Sequence, residues 1–261
     1  MPDILVENGS GVARVTLNRP EALNAFAGEM RRNLVEALDR IRGDESVRCV
    51  VLTGAGRGFC SGGDVKAMRS LQLEGDVDGF SELLEAGRDI VTRLREMPQL
   101  VIAMVNGVAA GAGCNLALAC DYRMASTAAK FGQTFVRIGL HPDWGGTCLL
   151  PRLVGTSKAL EIMMTGRMVE AAEALEIGMV DRVVGPERLE QETMKLASSI
   201  AAGPPLPLRE LKKAVYAAAT NTLDEQLTLE GTTQKRAFLT EDSREGIAAF
   251  FEKRPPRFRG R

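Results

Sequence analysis

A chain of 261 residues, 45% hydrophobic and 26% charged, has the makeup of a folded globular protein with one sizeable core, or a core and a helical appendage. A formal net charge of −1 argues against nucleic acid or a membrane surface as the main partner, and no apolar stretch reaches the roughly 18 residues that cross a bilayer. Five scattered cysteines without a CxxC pair, and a single histidine, argue against a metal site and for free thiols in a cytoplasmic protein.

The start, Met1-Pro2-Asp3-Ile4-Leu5-Val6, lacks the basic and apolar regions of a signal peptide. Residues 4–7 and 12–17 alternate around Asn8-Gly9-Ser10-Gly11, the pattern of a β-hairpin, which Asn18-Arg19-Pro20-Glu21 ends. Met30, Leu34, Ala37, Leu38 and Ile41 recur at helical spacing and predict a helix over 27–42. A strand over 47–53 leads to the glycine turn Phe59-Cys60-Ser61-Gly62-Gly63-Asp64. The acidic stretch 70–80 reads as a mobile surface loop, and 82–96 as an amphipathic helix ended by Met97-Pro98.

A strand over 100–105 leads to a second glycine turn, Gly107-Val108-Ala109-Ala110-Gly111-Ala112-Gly113, and a helix over 114–119. Short strands follow at 122–125 and 130–132, then helices at 149–155, 156–165 and 169–177, the last closed by Gly178. A strand-like stretch at 180–184 and a helix over 187–202 complete a core of residues 1–202. Gly203-Pro204-Pro205-Leu206-Pro207 is the one break in composition. Beyond it, in 203–261, helices at about 208–220, 223–238 and 242–252 precede a basic tail, reading as a packing or oligomerisation module. Alternating strands and helices predict an α/β layered core.

The two glycine turns carry the chemistry. A strand-to-helix turn leaves the first amide N–H groups of the helix unpaired, and the helix dipole adds partial positive charge there. Two such turns from neighbouring strands can aim two amides at one oxygen, the requirement for stabilising an enolate. The alternative for Gly63 and Ala112 is that small residues merely allow tight strand–helix packing.

Four motifs in order, Asn18-Arg19-Pro20-Glu21-Ala22-Leu23-Asn24-Ala25, Phe59-Cys60-Ser61-Gly62-Gly63-Asp64-Val65-Lys66, Asn106-Gly107-Val108-Ala109-Ala110-Gly111-Ala112-Gly113 and Gly145-Gly146-Thr147, resemble the enoyl-CoA hydratase/isomerase (crotonase) superfamily from residue 4 to 258. The resemblance implies a spiral of β-β-α units, a C-terminal helical region that assembles trimers or dimers of trimers, and acyl-CoA thioester substrates. No cofactor is implied beyond the coenzyme A of the substrate. It assigns the oxyanion-binding amides to Gly63 and Ala112.

The family's hydratases use two glutamates; here those positions hold Asn115 and, twenty residues on, Phe135, neither of which transfers protons near neutral pH. A carboxylate occurs instead at Asp143, in Gly139-Leu140-His141-Pro142-Asp143-Trp144-Gly145-Gly146-Thr147-Cys148-Leu149-Leu150-Pro151-Arg152. That run is most similar to the ring-1,2-epoxyphenylacetyl-CoA isomerase and Δ3,Δ2-enoyl-CoA isomerase branch, and implies Asp143 as the catalytic acid–base. Burial beside Trp144 and Leu140 would raise its pKa; the alternative is an aspartate that caps the next helix. His141 is either structural or tunes Asp143.

The remaining positions carry over with alternatives open. Asn115 is a structural helix residue or lines the pocket, and Phe135 packs in the acyl pocket or the core. Cys60 and Ala25 border the substrate groove. Asp64 holds its turn or meets substrate, and Lys66 reaches a CoA phosphate or is simply solvated. Phe250 and Lys253 contact CoA from the C-terminal helix of this or a neighbouring subunit, or Lys253 is only part of the basic tail. Cys114 lacks a histidine partner for a nucleophile's role. The reading is an acyl-CoA isomerase that shifts a double bond or opens a ring epoxide. A hydratase and a non-catalytic CoA-binding scaffold are the rivals.

Overall fold

The computed structural model describes residues 2–261. The chain opens with the expected hairpin, β1 (Ile4–Gly9) and β2 (Val12–Leu17), paired antiparallel with Val6 opposite Val15. Helix α1 (Met30–Gly43) buries Met30, Leu34, Ala37, Leu38 and Ile41, the stripe that its sequence spacing predicts. Then come β3 (Cys49–Gly54), a short β4 (Gly58–Cys60), α2 (Val65–Glu74) and α3 (Val77–Glu96). The next unit is β5 (Leu100–Val105), β6 (Val108–Ala110) and α4 (Ala112–Ala119). A third is β7 (Tyr122–Ser126), β8 (Lys130–Gly132), a 3-10 turn at Thr134–Ile138 and α5 (Gly146–Val154). The chain continues with α6 (Thr156–Thr165), β9 (Met168–Glu170), α7 (Ala171–Glu176), β10 (Arg182–Val184) and α8 (Pro186–Ala201). It ends with α9 (Pro205–Ala217), α10 (Leu223–Phe238) and α11 (Glu241–Glu252).

The strands form two sheets. One has the order β1-β2-β3-β5-β7-β10, parallel from β2 onward; the other is β4-β6-β8-β9, with only β9 antiparallel. Three successive units therefore place their first strand in the large sheet and their second in the small one before turning into a helix. That is the β-β-α spiral the resemblance implies.

The large sheet is covered on both sides, and the period-two alternation of its strands divides the core accordingly. Val50, Leu52, Val101 and Ala103 face the main core with α1, α3 and α4, while Cys49, Val51, Ile102 and Met104 face α8 through Leu189, Ala197 and Ala201. Helix α9 is tied to the core by Lys212. Its Nζ donates to the carbonyls of Leu94 and Gln99 at 2.9 Å and pairs with Asp121 at 2.8 Å.

Three expectations need correction. Residues 70–80 are not a loop: α2 runs to Glu74, Gly75 closes it at φ +66°, and Asp76 caps α3 by accepting from the Gly79 amide at 2.8 Å. Acidic and glycine content there marks a helix–helix junction, with caps supplied by the residues that resembled a loop. The helix expected over 169–177 begins as strand β9, because Val169 pairs with Phe131 of β8. The glycine turns also contain the short strands β4 and β6, which are too brief for a periodic signal.

Candidate active site

The two glycine turns meet. A Cβ on Gly62, whose φ is +99°, would lie 2.7 Å from the Ala110 carbonyl and 3.3 Å from the Ala112 nitrogen; on Gly113 it would lie 2.0 Å from the Cys60 carbonyl. Only glycine permits that approach. Phe26 forms a parallel bridge with Gly63, donating to the Gly62 carbonyl at 2.8 Å and accepting from the Asp64 amide at 3.0 Å. The Gly63 amide, being the intervening one in an extended segment, faces the opposite side. Ala112 opens α4, so its N–H has no intrahelical acceptor. Among the described residues neither amide donates to a backbone carbonyl outside regular elements, and both residues line one pocket of about 70 Å³.

Asp143 lines the same pocket, with Phe135, Leu140 and Trp144. It does not cap α5, whose N-cap is Gly145 without a side-chain bond. Instead the Asp143 carbonyl is clamped from two sides, by the Asn115 side-chain amide at 2.8 Å and the Gly146 amide at 3.0 Å. Asn115 is in turn oriented by Gln133, whose Nε2 donates to its Oδ1 at 2.6 Å. Trp144, at φ +47°, packs its ring on Phe26 with centroids 4.8 Å apart and fills the space beside Gly87 of α3. The acid is thus held through its backbone, and its Oδ1 is buried without a partner among the described residues. Burial pushes its pKa up to about 6, opposed by a hydrogen bond from its own amide and by the charges of Arg31 and His141. A carboxylate that ionises near neutrality and keeps one oxygen unpartnered can take and return a proton.

The other predicted positions fall into two groups. Asn115 is fully buried and does not line the pocket; it positions the loop of Asp143. Cys60 lies beneath the first turn, its thiol donating to the Asn24 carbonyl at 3.1 Å and pushed by burial up to about 12. Cys114 is buried likewise and also held at about 12. Asp64 caps α2 by accepting from the Lys66 amide at 3.0 Å, and the Ala25 carbonyl accepts from Arg19 at 2.6 Å. Lys66 is exposed on α2, while Phe250 and Lys253 are exposed at the end of α11; none of them lines the pocket. His141 is exposed, and its Nδ1–H donates to the Pro142 carbonyl at 2.7 Å.

Two contributors went unread in the sequence. One is the wall supplied by α2 and α3, with Val65, Met68, Phe80, Leu83 and Leu84; of these, Phe80 falls inside the segment read as a loop. A groove of about 550 Å³ continues outward past Val65, Met68, Phe80, Ile138 and Leu140. The other is Arg31, 6% exposed in the pocket wall. The available signal was an arginine in the first turn of a helix, where the dipole disfavours a cation.

The enoyl-CoA hydratase/isomerase family model matches residues 7–261, and this chain belongs to that family. It is 43% identical to the 1,2-epoxyphenylacetyl-CoA isomerase of Escherichia coli K12, with all of both chains covered. It is 36% identical to the short-chain-enoyl-CoA hydratase of Clostridium acetobutylicum, over 97% of this chain and 95% of that one. A crystal structure of enoyl-CoA hydratase from Bacillus anthracis superposes with a TM-score of 0.95 at 34% identity, each chain fully covered. The fold is that of the crotonase superfamily. No helix among the described residues is long and apolar enough to cross a membrane.

Proposed function

We propose that the protein is an acyl-CoA isomerase in which Asp143 moves a proton between carbons of the acyl group. Supporting this reading above all is the lone, buried, unpartnered carboxyl oxygen of Asp143 in the pocket that the Gly63 and Ala112 amides also line. Asn115 and Phe135 leave no pair of carboxylates to activate water.

For a 3-enoyl thioester, the Asp143 carboxylate takes a proton from C2. The electron pair moves onto the thioester oxygen, which the two amides stabilise as a dienolate. The Asp143 carboxylic acid then returns the proton to C4, the C2–C3 double bond forms, and the carboxylate is regenerated. Ring opening of an epoxide on an acyl group is the more specific expectation, in line with the name of the Escherichia coli relative. Beyond the coenzyme A of the substrate, this route calls for no cofactor. Lys66 and, from a neighbouring copy, Phe250 and Lys253 would serve the CoA moiety. The C-terminal helices, exposing Leu211, Val215, Leu223, Leu227 and Phe238, would assemble trimers or dimers of trimers.

The test offers a 3-enoyl-CoA and crotonyl-CoA separately. Isomerisation of the first well above hydration of the second is expected. Faster hydration selects the hydratase reading. Binding of both without turnover selects a scaffold.

A further inference from the structure

Arg31 and Asp143 are the only charged residues among the described ones lining the pocket; the rest of the wall is apolar, glycine, or the hydroxyls of Ser61 and Thr134. Arg31 is almost fully buried, yet its hydrogen bonding is poor. Nη1 reaches the Phe26 carbonyl at a long 3.4 Å, and Nε finds no partner among the described residues. The guanidinium lies 5.5 Å from the centroid of the Phe26 ring, an interaction that leaves its edge donors free. A guanidinium carries five N–H donors, and a buried charge so weakly satisfied is unfavourable unless something else engages it. Merely filling this space would be better done by an apolar side chain, since the first turn of α1 also disfavours a cation.

Its position indicates what engages it. Nη2 lies 3.5 Å from the point where a Cβ on Gly63 would sit, and its charge is felt at Asp143, although the two form no direct ion pair. Arg31 therefore flanks the stretch between the amide that would hold the thioester oxygen and the carboxylate that would move the proton. In an acyl-CoA complex the first acyl carbons occupy that stretch.

We infer that Arg31 is a specificity-determining residue whose guanidinium donates hydrogen bonds to an oxygen on the acyl group, so that the protein selects oxygen-bearing acyl thioesters over plain hydrocarbon ones. This rests on the acyl-CoA reading of the pocket but not on the isomerase step. A hydrogen bond to a buried charged donor is worth roughly ten- to hundredfold in affinity, and a site built around one rejects analogues that lack the acceptor.

The test is the binding of three four-carbon thioesters by calorimetry: butyryl-CoA, 4-hydroxybutyryl-CoA and succinyl-CoA. They differ only at C4, which is a methyl, a hydroxymethyl or a carboxylate. At least one oxygenated thioester is expected to bind about tenfold or more tightly than butyryl-CoA. Which of the two it is distinguishes a neutral from an anionic acceptor. R31M is expected to bring the three within about twofold of one another, and R31K to restore part of the preference. Equal binding of all three by the parent overturns the role of Arg31 and leaves the acyl-CoA reading intact. So does an R31M variant that weakens all three alike, the signature of a structural residue. Failure of the parent to bind any of them overturns both.

Discussion

Asp143→Asn is expected to make the protein more stable and nearly inactive at once. The Asp143 carboxyl ionises at about 6 in the folded chain because burial disfavours its charge, against roughly 3.9 when unfolded. At about 1.4 kcal/mol per pH unit the difference is about 3 kcal/mol, and the side chain's remaining exposure reduces it to about 2 kcal/mol. The folded chain holds this proton more tightly than the unfolded chain. Its contribution to stability is therefore complete below about pH 4 and lost as pH rises through 6. Asparagine resembles the protonated acid and escapes that loss. Thermal melts of parent and variant at one protein concentration should differ by roughly 4–8 °C at pH 7.5 and converge at pH 4. Turnover of a 3-enoyl-CoA by the variant should fall by about a hundredfold or more. A variant less stable than the parent at pH 7.5, or a difference that does not change with pH, would refute the account of a desolvated acid. Retained turnover would remove Asp143 from the chemistry.

In the parent, kcat/KM for isomerisation should rise with pH through about 6 as the carboxylate forms and then level off; a profile falling over that range would mean the acid form initiates the reaction. Asn115→Ala strips one donor from the Asp143 carbonyl and leaves the Gln133 amide with only the Cys114 sulfur as acceptor, so denaturation should show a loss of about 1–3 kcal/mol with a reduced kcat. Unchanged kcat would show that the loop holds without the clamp. Gly113→Ala forces a methyl against the Cys60 carbonyl, 2.0 Å from its ideal position, and should abolish the soluble folded form or lower the melting temperature sharply. Lys212→Met leaves Asp121 buried with only the Tyr216 hydroxyl and the Val101 amide as partners; urea unfolding should show a loss of about 3–5 kcal/mol.

Much of the fold was legible because its elements carry local signals. The stripe of α1 and the buried runs of β3 and β5 are periodic or continuous, and the fold sets them where the sequence suggests. Strands β4 and β6 were not legible, since three residues inside a glycine turn have no periodicity and exist only because neighbouring units align them. The α2–α3 junction was misread because Gly75 and Asp76 serve caps as readily as loops. At the site, the sequence could identify Asp143 as a candidate but not separate it from a helix cap; that distinction lies in the αL conformation of Gly145, which makes the cap itself. Asn115 showed its residue type but not its direction, which depends on Gln133 arriving from β8's far end. Arg31 was hidden because its neighbours obey a helical stripe, and Phe26 and Gly63 come up against it only in the folded chain.

The three β-β-α units make unequal contributions from equivalent places. The first and second each present a main-chain amide where strand gives way to helix, a group that side-chain substitution cannot remove. The third has a longer excursion before its helix and presents a side chain there, Asp143. On the proposed function, grip on a carbonyl would belong to the backbone of two modules, and the choice of what happens to the neighbouring carbons to one replaceable loop of the third. Exchanging residues 139–145 alone should therefore reprogram the chemistry of this scaffold without disturbing its hold on the thioester.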